Sequence, residues 1–237
     1  MPVCEVGVCD GSGWIEVDDL TARPCGCRAL KAKRKQSRRL GTGIPKRFRG
    51  VGFDRQPIAE MDSEITRKIR TFVRDIGMNL DNGKSLWFFG EVGTGKTSLA
   101  MLISKAALDS GRSVAIYSMP RLLADIRATF DDRSPHSYME LFDRLTTVDL
   151  LHIDDVGAEK TSDWVLEQVY AIINERWQEE RSIIVTTNLL DEELKAQIGP
   201  RTVSRLEDMC GREGVIPIMG NDRRIAKWRP TEARGAA

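Results

Sequence analysis

The sequence predicts an α/β fold built on a mostly parallel sheet of five strands, and three observations carry that expectation. Short apolar runs bounded by turn residues alternate with stretches whose apolar residues recur at helical spacing, the pattern of strands joined by helical crossovers. At one strand–loop–helix junction, Gly90-Glu91-Val92-Gly93-Thr94-Gly95-Lys96-Thr97 meets the template G-x-x-x-x-G-K-[ST] at every fixed position. A further apolar run ends in Asp154 and Asp155, as a strand does when it delivers carboxylates beside a phosphate-binding loop.

From the N-terminus, Cys4, Cys9, Cys25 and Cys27 gather around two knuckles, Cys9-Asp10-Gly11-Ser12-Gly13-Trp14 and Pro24-Cys25-Gly26-Cys27. Four thiolates suit tetrahedral Zn²⁺, and glycine beside cysteine lets the chain turn tightly enough to aim paired sulfurs at one ion. The C-x₄-C and C-x-C spacings depart from the common C-x₂-C, so a zinc module and a loose reduced tail both stay open. His136 and His152 lie far off in sequence, which makes any such site all-cysteine, and Cys210 reads as a small buried residue. Five cysteines, no hydrophobic leader and no apolar run near the roughly 18 residues of a membrane span predict a cytoplasmic protein without membrane contact.

The net charge of +1 hides a reversal of sign. Acids outnumber bases up to Arg28; Lys31, Lys33, Arg34, Lys35, Arg38, Arg39, Lys46, Arg47 and Arg49 then precede any acid. That run reads equally as a solvated linker, a short helix giving way to a loop, and as a sequence-blind contact to nucleic-acid phosphates.

Asp62 or Ser63 caps a helix with Ile65, Ile69, Phe72, Val73 and Ile76 on one face. Leu86 to Phe89 is a strand after the Asn82-Gly83 turn, and Ser98 to Leu108 a helix. Val114 to Tyr117 is a strand, Leu122, Leu123 and Ile126 mark a short helix, and Asp131 to Tyr138 reads as an irregular surface loop. Val148 to Asp155 is the acid-bearing strand, with His152 a core residue rather than a catalyst. Asp163 caps a helix running to Trp177, Ile183 to Asn188 is a strand ending in a polar residue, and Val215 to Met219 is the last strand.

The chemistry follows from residue types. Glycines at 90, 93 and 95 let N–H groups converge on phosphate oxygens, backed by a helix N-terminus, so Gly90 to Ser98 is the expected nucleotide cradle. Lys96 reaches the β- and γ-phosphates, Thr97 offers its hydroxyl to Mg²⁺, Asp154 holds the same Mg²⁺, and Asp155 is the candidate base for an attacking water.

Over Ile44 to Lys227 the chain resembles the AAA+ ATPases, and within them the DnaC-type replicative helicase loaders and their IstB-like transposition relatives. The motifs are GEVGTGKT, LLHIDD, the INERW segment from Ile173 to Trp177, VTTN, and RTVSRL from Arg201 to Leu206. The resemblance implies a three-layer P-loop sandwich without a helical lid, since little chain follows the last strand. It divides the chain into a zinc module (1–30), a basic linker (31–49), the ATPase domain (50–230) and a disordered tail (231–237). It makes Asn188 the first sensor, Arg205 an arginine finger for a neighbouring subunit, and Arg224 the second sensor, with Arg201 and Arg223 as adjacent candidates. Asp155 stands where the family generally has Glu.

Loaders of this kind often open with a cysteine module ending in PC-x-C, as Pro24 to Cys27 does. The implied function is therefore ATP-dependent loading of a hexameric replicative DNA helicase onto single-stranded DNA, with self-association through the nucleotide sites. Alternatives are a transposition helper ATPase and a nucleotide-gated DNA-binding adaptor with negligible hydrolysis.

Overall fold

The computed structural model describes residues 4, 6–18, 21–28, 43–130, 137–157, 162–220 and 222. Lys31 to Arg39, Arg223, Arg224 and the tail at 231–237 lie outside the described residues. Near the N-terminus, β1 (Trp14–Asp18) pairs antiparallel with β2 (Thr21–Pro24).

The larger unit starts with 3-10 turns at Lys46–Phe48 and Ile58–Glu60; the first lies in the half of the basic run expected as a loop, and the helix expected before it lies outside the described residues. Then come α1 (Ser63–Arg74), α2 (Ile76–Asp81), β3 (Leu86–Phe89), α3 (Lys96–Asp109), β4 (Val114–Ser118), α4 (Met119–Ala128) and α5 (Tyr138–Thr147). After these follow β5 (Leu150–Asp154), α6 (Asp163–Gln178), β6 (Ser182–Thr187), α7 (Asp191–Ile198), α8 (Pro200–Gly214) and β7 (Val215–Pro217). The Asp62 carboxylate caps α1 by accepting from the N–H groups of Glu64 and Ile65.

Five strands form one parallel sheet in the order β4-β5-β6-β3-β7. Both faces are covered, which is why the strands read as unbroken apolar runs. Side chains alternate between the faces with period two. Leu86, Phe88, Leu150 and Ile184 pack with α1, α2 and α3, whereas Trp87, Leu151, Ile153, Ile183 and Val185 pack with α4, α5, α6 and α8. The expected three-layer α/β sandwich is the observed one. No helix among the described residues is long and apolar enough to cross a membrane.

Several element boundaries differ from expectation, among them these three. Tyr138 opens α5 instead of closing a loop, and the signal is a capping box in which Ser137 and Glu140 each accept from the other's backbone N–H. The acid-bearing strand starts at Leu150, because the Asp149 carboxylate turns back to accept from Ser113 N and Oγ, both at 2.7 Å. The last strand stops at Pro217.

Arg176 in α6 is fully buried, and its hydrogen bonds among the described residues go to backbone carbonyls. Its guanidinium donates to Leu145 O (2.7 Å), Thr146 O (3.2 Å), Val148 O (3.0 and 3.1 Å) and Ser182 O (2.6 Å). It thereby satisfies carbonyls at the end of α5, favours that negative dipole end, and ties the entry of β5 to the entry of β6. Arg176→Met keeps the stem and strips these bonds; it is expected to cost about 2–4 kcal/mol in urea unfolding, since several buried carbonyls lose their donor.

Candidate functional site

The glycine loop leaves the carboxyl end of β3, one strand away from the carboxyl end of β5, with β6 between them. In open parallel sheets this is where ligands bind. Gly90 takes φ +135°, and a Cβ there would run into the carbonyl of Ile218, whose own N–H donates to Phe89 O at 2.8 Å. Gly95, at φ +102°, turns the chain into α3, so the N–H groups of that helix's first turn face the loop.

Lys96 is buried, and its ammonium donates to Gly90 O (2.8 Å) and Glu91 O (2.7 Å). Thr94 Oγ1 donates to Glu91 O at 2.9 Å, closing the same loop. Glu91 and Val92 form its exposed crest, Thr97 is part-exposed, and Ser98 is buried. The Asp222 side chain packs against Gly93.

The acids are held by the next strand. Thr186 Oγ1 donates to Asp154 Oδ1 at 2.7 Å and accepts from Asp155 N at 2.9 Å. Asn188 Nδ2 donates to Asp155 Oδ1 at 2.9 Å. Asp155 has φ +61°, a left-handed conformation rare for a residue with a Cβ, and this pair of bonds holds it there. Val156 N donates to Thr186 O (2.8 Å), and Thr187 Oγ1 to Val156 O (2.7 Å). Thr186-Thr187-Asn188 thus clasps Asp154-Asp155-Val156, residue by residue.

His152 is buried, with Nδ1 3.0 Å from Ser104 Oγ and Nε2 4.0 Å from Asp154 Oδ1. Burial pushes its pKa down to about 4, against the opposing pull of Asp154, so it is neutral at pH 7. It ties β5 to α3 as a core residue.

Of the sequence-predicted residues, Asp154, Asp155 and Asn188 are brought into one bonded group, with Gly90 to Ser98 at the same sheet edge. Arg205 is elsewhere. On α8 it donates from Nε to Asn174 Oδ1 (3.1 Å) and lies 3.8 Å from the centre of the Trp177 ring, both on α6. Arg201 is exposed on the first turn of α8. Sequence reasoning missed Thr186 and Thr187; the available signal was two hydroxyls immediately before Asn188.

The sulfurs of Cys4, Cys9, Cys25 and Cys27 all lie within 4.8 Å of one another. Cys4 and Cys25 Sγ are 3.8 Å apart, and Cys9 and Cys27 Sγ 3.5 Å. Tetrahedral zinc with Zn–S bonds of about 2.3 Å needs sulfurs about 3.8 Å apart, so the four fit that ion. Hydrogen bonds from the backbone around Cys9 and Val8 lower the Cys4 pKa to about 5, whereas burial, followed by the neighbouring thiols, pushes Cys27 up to about 12. Cys210 is a buried core thiol, also raised to about 12 by desolvation.

Comparison with known proteins agrees with this geometry. The chain is 29% identical over 180 residues to the replicative helicase loader DnaC of Escherichia coli (strain K12), spanning 76% of this chain and 71% of that protein. It is also 29% identical over 174 residues to the DnaC loader of Buchnera aphidicola subsp. Baizongia pistaciae (strain Bp), spanning 73% and 70%. The crystal structure of the DnaC helicase loader superposes with a TM-score of 0.62 at 26% identity, over 74% of this chain and all 100% of that one. The replication initiator DnaA bound to AMPPCP and single-stranded DNA shares the fold, with a TM-score of 0.60 at 20% identity over 75% of this chain and 51% of that one. The profile of the IstB-like ATP binding protein family matches residues 46–228, and with this AAA+ P-loop fold the chain belongs to that family.

Proposed function

We propose that the chain is an ATP-hydrolysing replication protein that binds a hexameric replicative helicase through its cysteine module and assists its loading onto single-stranded DNA. The observation that supports it most is the bonded group Asp154, Asp155 and Asn188 beside the Lys96 loop, in a chain whose similarity to helicase loaders spans three-quarters of its length.

In this reading Gly90 to Ser98 cradles the phosphates, and Lys96 leaves its loop carbonyls to meet the β- and γ-phosphates. Thr97 and Asp154 hold Mg²⁺, which when bound offsets the negative charge of the phosphates. Asp155 accepts a proton from the attacking water, and Asn188 orients that water. Arg205 of one subunit and Arg224 complete the charge stabilisation around the γ-phosphate. Asp155 is one methylene shorter than the usual Glu, so hydrolysis is slow until a partner assembles the site. The zinc module (1–30), linker (31–49), ATPase domain (50–230) and tail (231–237) divide the work, with the linker's bases on DNA phosphates.

The transposition-helper reading uses the same ATP site. The four-cysteine cluster favours the loader, because it adds a module that ATP chemistry does not need. The test is co-purification of the full chain with its organism's replicative helicase, and with a transposase, with and without ATP and Mg²⁺. Helicase capture that is lost when residues 1–49 are removed is the expected result. Transposase capture alone would move the same chemistry to transposition, and sustained helicase-dependent ATP turnover separates an ATPase from a passive adaptor.

A further inference from the structure

We propose that Thr186 is the positioning residue of this site, its one hydroxyl setting both acids at once. The inference rests on the reading of Asp154 as a Mg²⁺ ligand given above. Thr186 sits near the end of β6, 2% exposed, between the glycine-loop strand and the acid strand. A threonine hydroxyl has a single proton, and here it goes to Asp154 Oδ1 at 2.7 Å. A lone pair of the same oxygen takes Asp155 N–H at 2.9 Å.

The first bond fixes the rotation of the Asp154 carboxylate and occupies Oδ1, which leaves Oδ2 to meet a cation. The second holds the backbone of Asp155 at φ +61°, and with it the direction from which that side chain reaches Asn188. Because one oxygen makes both bonds, the metal ligand and the candidate base are set relative to each other rather than independently. Thr187 plays no such part: its hydroxyl donates to Val156 O and accepts from Leu189 N, so it holds backbone only.

Thr186→Val keeps the shape and removes the hydroxyl, and Thr186→Ser keeps the hydroxyl and removes the methyl. The readout is Mn²⁺ affinity of the full chain with a non-hydrolysable ATP analogue, followed by electron paramagnetic resonance, beside the midpoint of urea unfolding. Thr186→Val is expected to weaken Mn²⁺ binding about 10- to 100-fold, as loss of a group that orients a metal ligand does, while Thr186→Ser restores it. Adding Thr186→Val to Asp154→Asn should weaken it no further.

Wild-type Mn²⁺ affinity in a folded Thr186→Val protein, with Asp154→Asn impaired, overturns this inference and leaves the site reading intact. Unchanged affinity in Asp154→Asn overturns the site reading itself. Should Thr186→Val lose its fold, Thr186→Cys, a weaker donor on a longer bond, takes its place under the same two outcomes.

Discussion

Arg205→Ala is expected to leave ATP binding intact and to lower assembly-stimulated ATP hydrolysis by about 10³-fold, the typical effect of removing an arginine supplied to a neighbour's phosphates. Magnitudes separate this from a structural role. Among the described residues of its own chain Arg205 has one neutral hydrogen-bond partner, Asn174, and the face of Trp177. The ring contact is worth about 0.5–1 kcal/mol and the bond about 0.5–1.5 kcal/mol. Losing both shifts an unfolding midpoint modestly, whereas a 10³-fold rate loss is about 4 kcal/mol of barrier. A structural arginine would show the first effect without the second.

Subunit mixing makes the prediction specific. Lys96→Ala should abolish hydrolysis at its own site by removing the ammonium proposed to meet the phosphates, yet still present Arg205 to the next subunit. Mixed with Arg205→Ala protein on helicase and single-stranded DNA, it should restore turnover that neither variant has alone. A silent mixture, or an Arg205→Ala loss of the same size at dilutions where the wild type is monomeric, would remove Arg205 from the neighbour's site. The exposed Arg201 would then be the next residue to substitute.

What the sequence disclosed, and what it hid, divides along physical lines. The phosphate loop was legible because its chemistry needs particular residues at particular offsets: glycine where φ is positive at 90, 93 and 95, and lysine at the helix start. The sheet was legible because burial on both faces forces unbroken apolar runs such as Leu86 to Phe89 and Ile183 to Val185. Strand order was not, because it depends on which strands pair, and no local pattern records that β6 lies between β3 and β5. Thr186 was hidden for the same reason. Its partners are 31 and 32 residues away, and only the parallel register of β5 and β6 brings them to it. Arg176 has little of a sequence signature either: a charged residue inside an amphipathic helix reads as solvent-facing until its carbonyl partners on two other segments are known.

Metal removal should separate the two parts of the molecule. A strong chelator, or Cys25→Ser, is expected to unfold the N-terminal hairpin while leaving ATP-analogue binding within experimental error of wild type. Among the described residues the hairpin has little else to hold it: every residue of β2 is exposed, β1 presents only Ile15 as partly buried, and the apolar cluster there consists of Cys4, Cys25 and Cys27 with Cys9 and Ile15 around them. So small a core cannot offset the entropy of ordering the chain, whereas structural zinc in small peptide modules contributes about 10–16 kcal/mol at neutral pH.

The pH dependence has a definite sign. Burial raises Cys27 to about 12, so its thiol is protonated at pH 7 without the ion and must release that proton to bind it. Apparent zinc affinity should therefore rise with pH, and acidification should release metal and unfold the hairpin together. Zinc release followed with a chromogenic chelator, alongside the environment of Trp14 on β1, checks both at once. A hairpin that keeps its structure after stoichiometric metal loss, or a protein purified without zinc whose hairpin is already ordered, would leave the cysteines as packing residues.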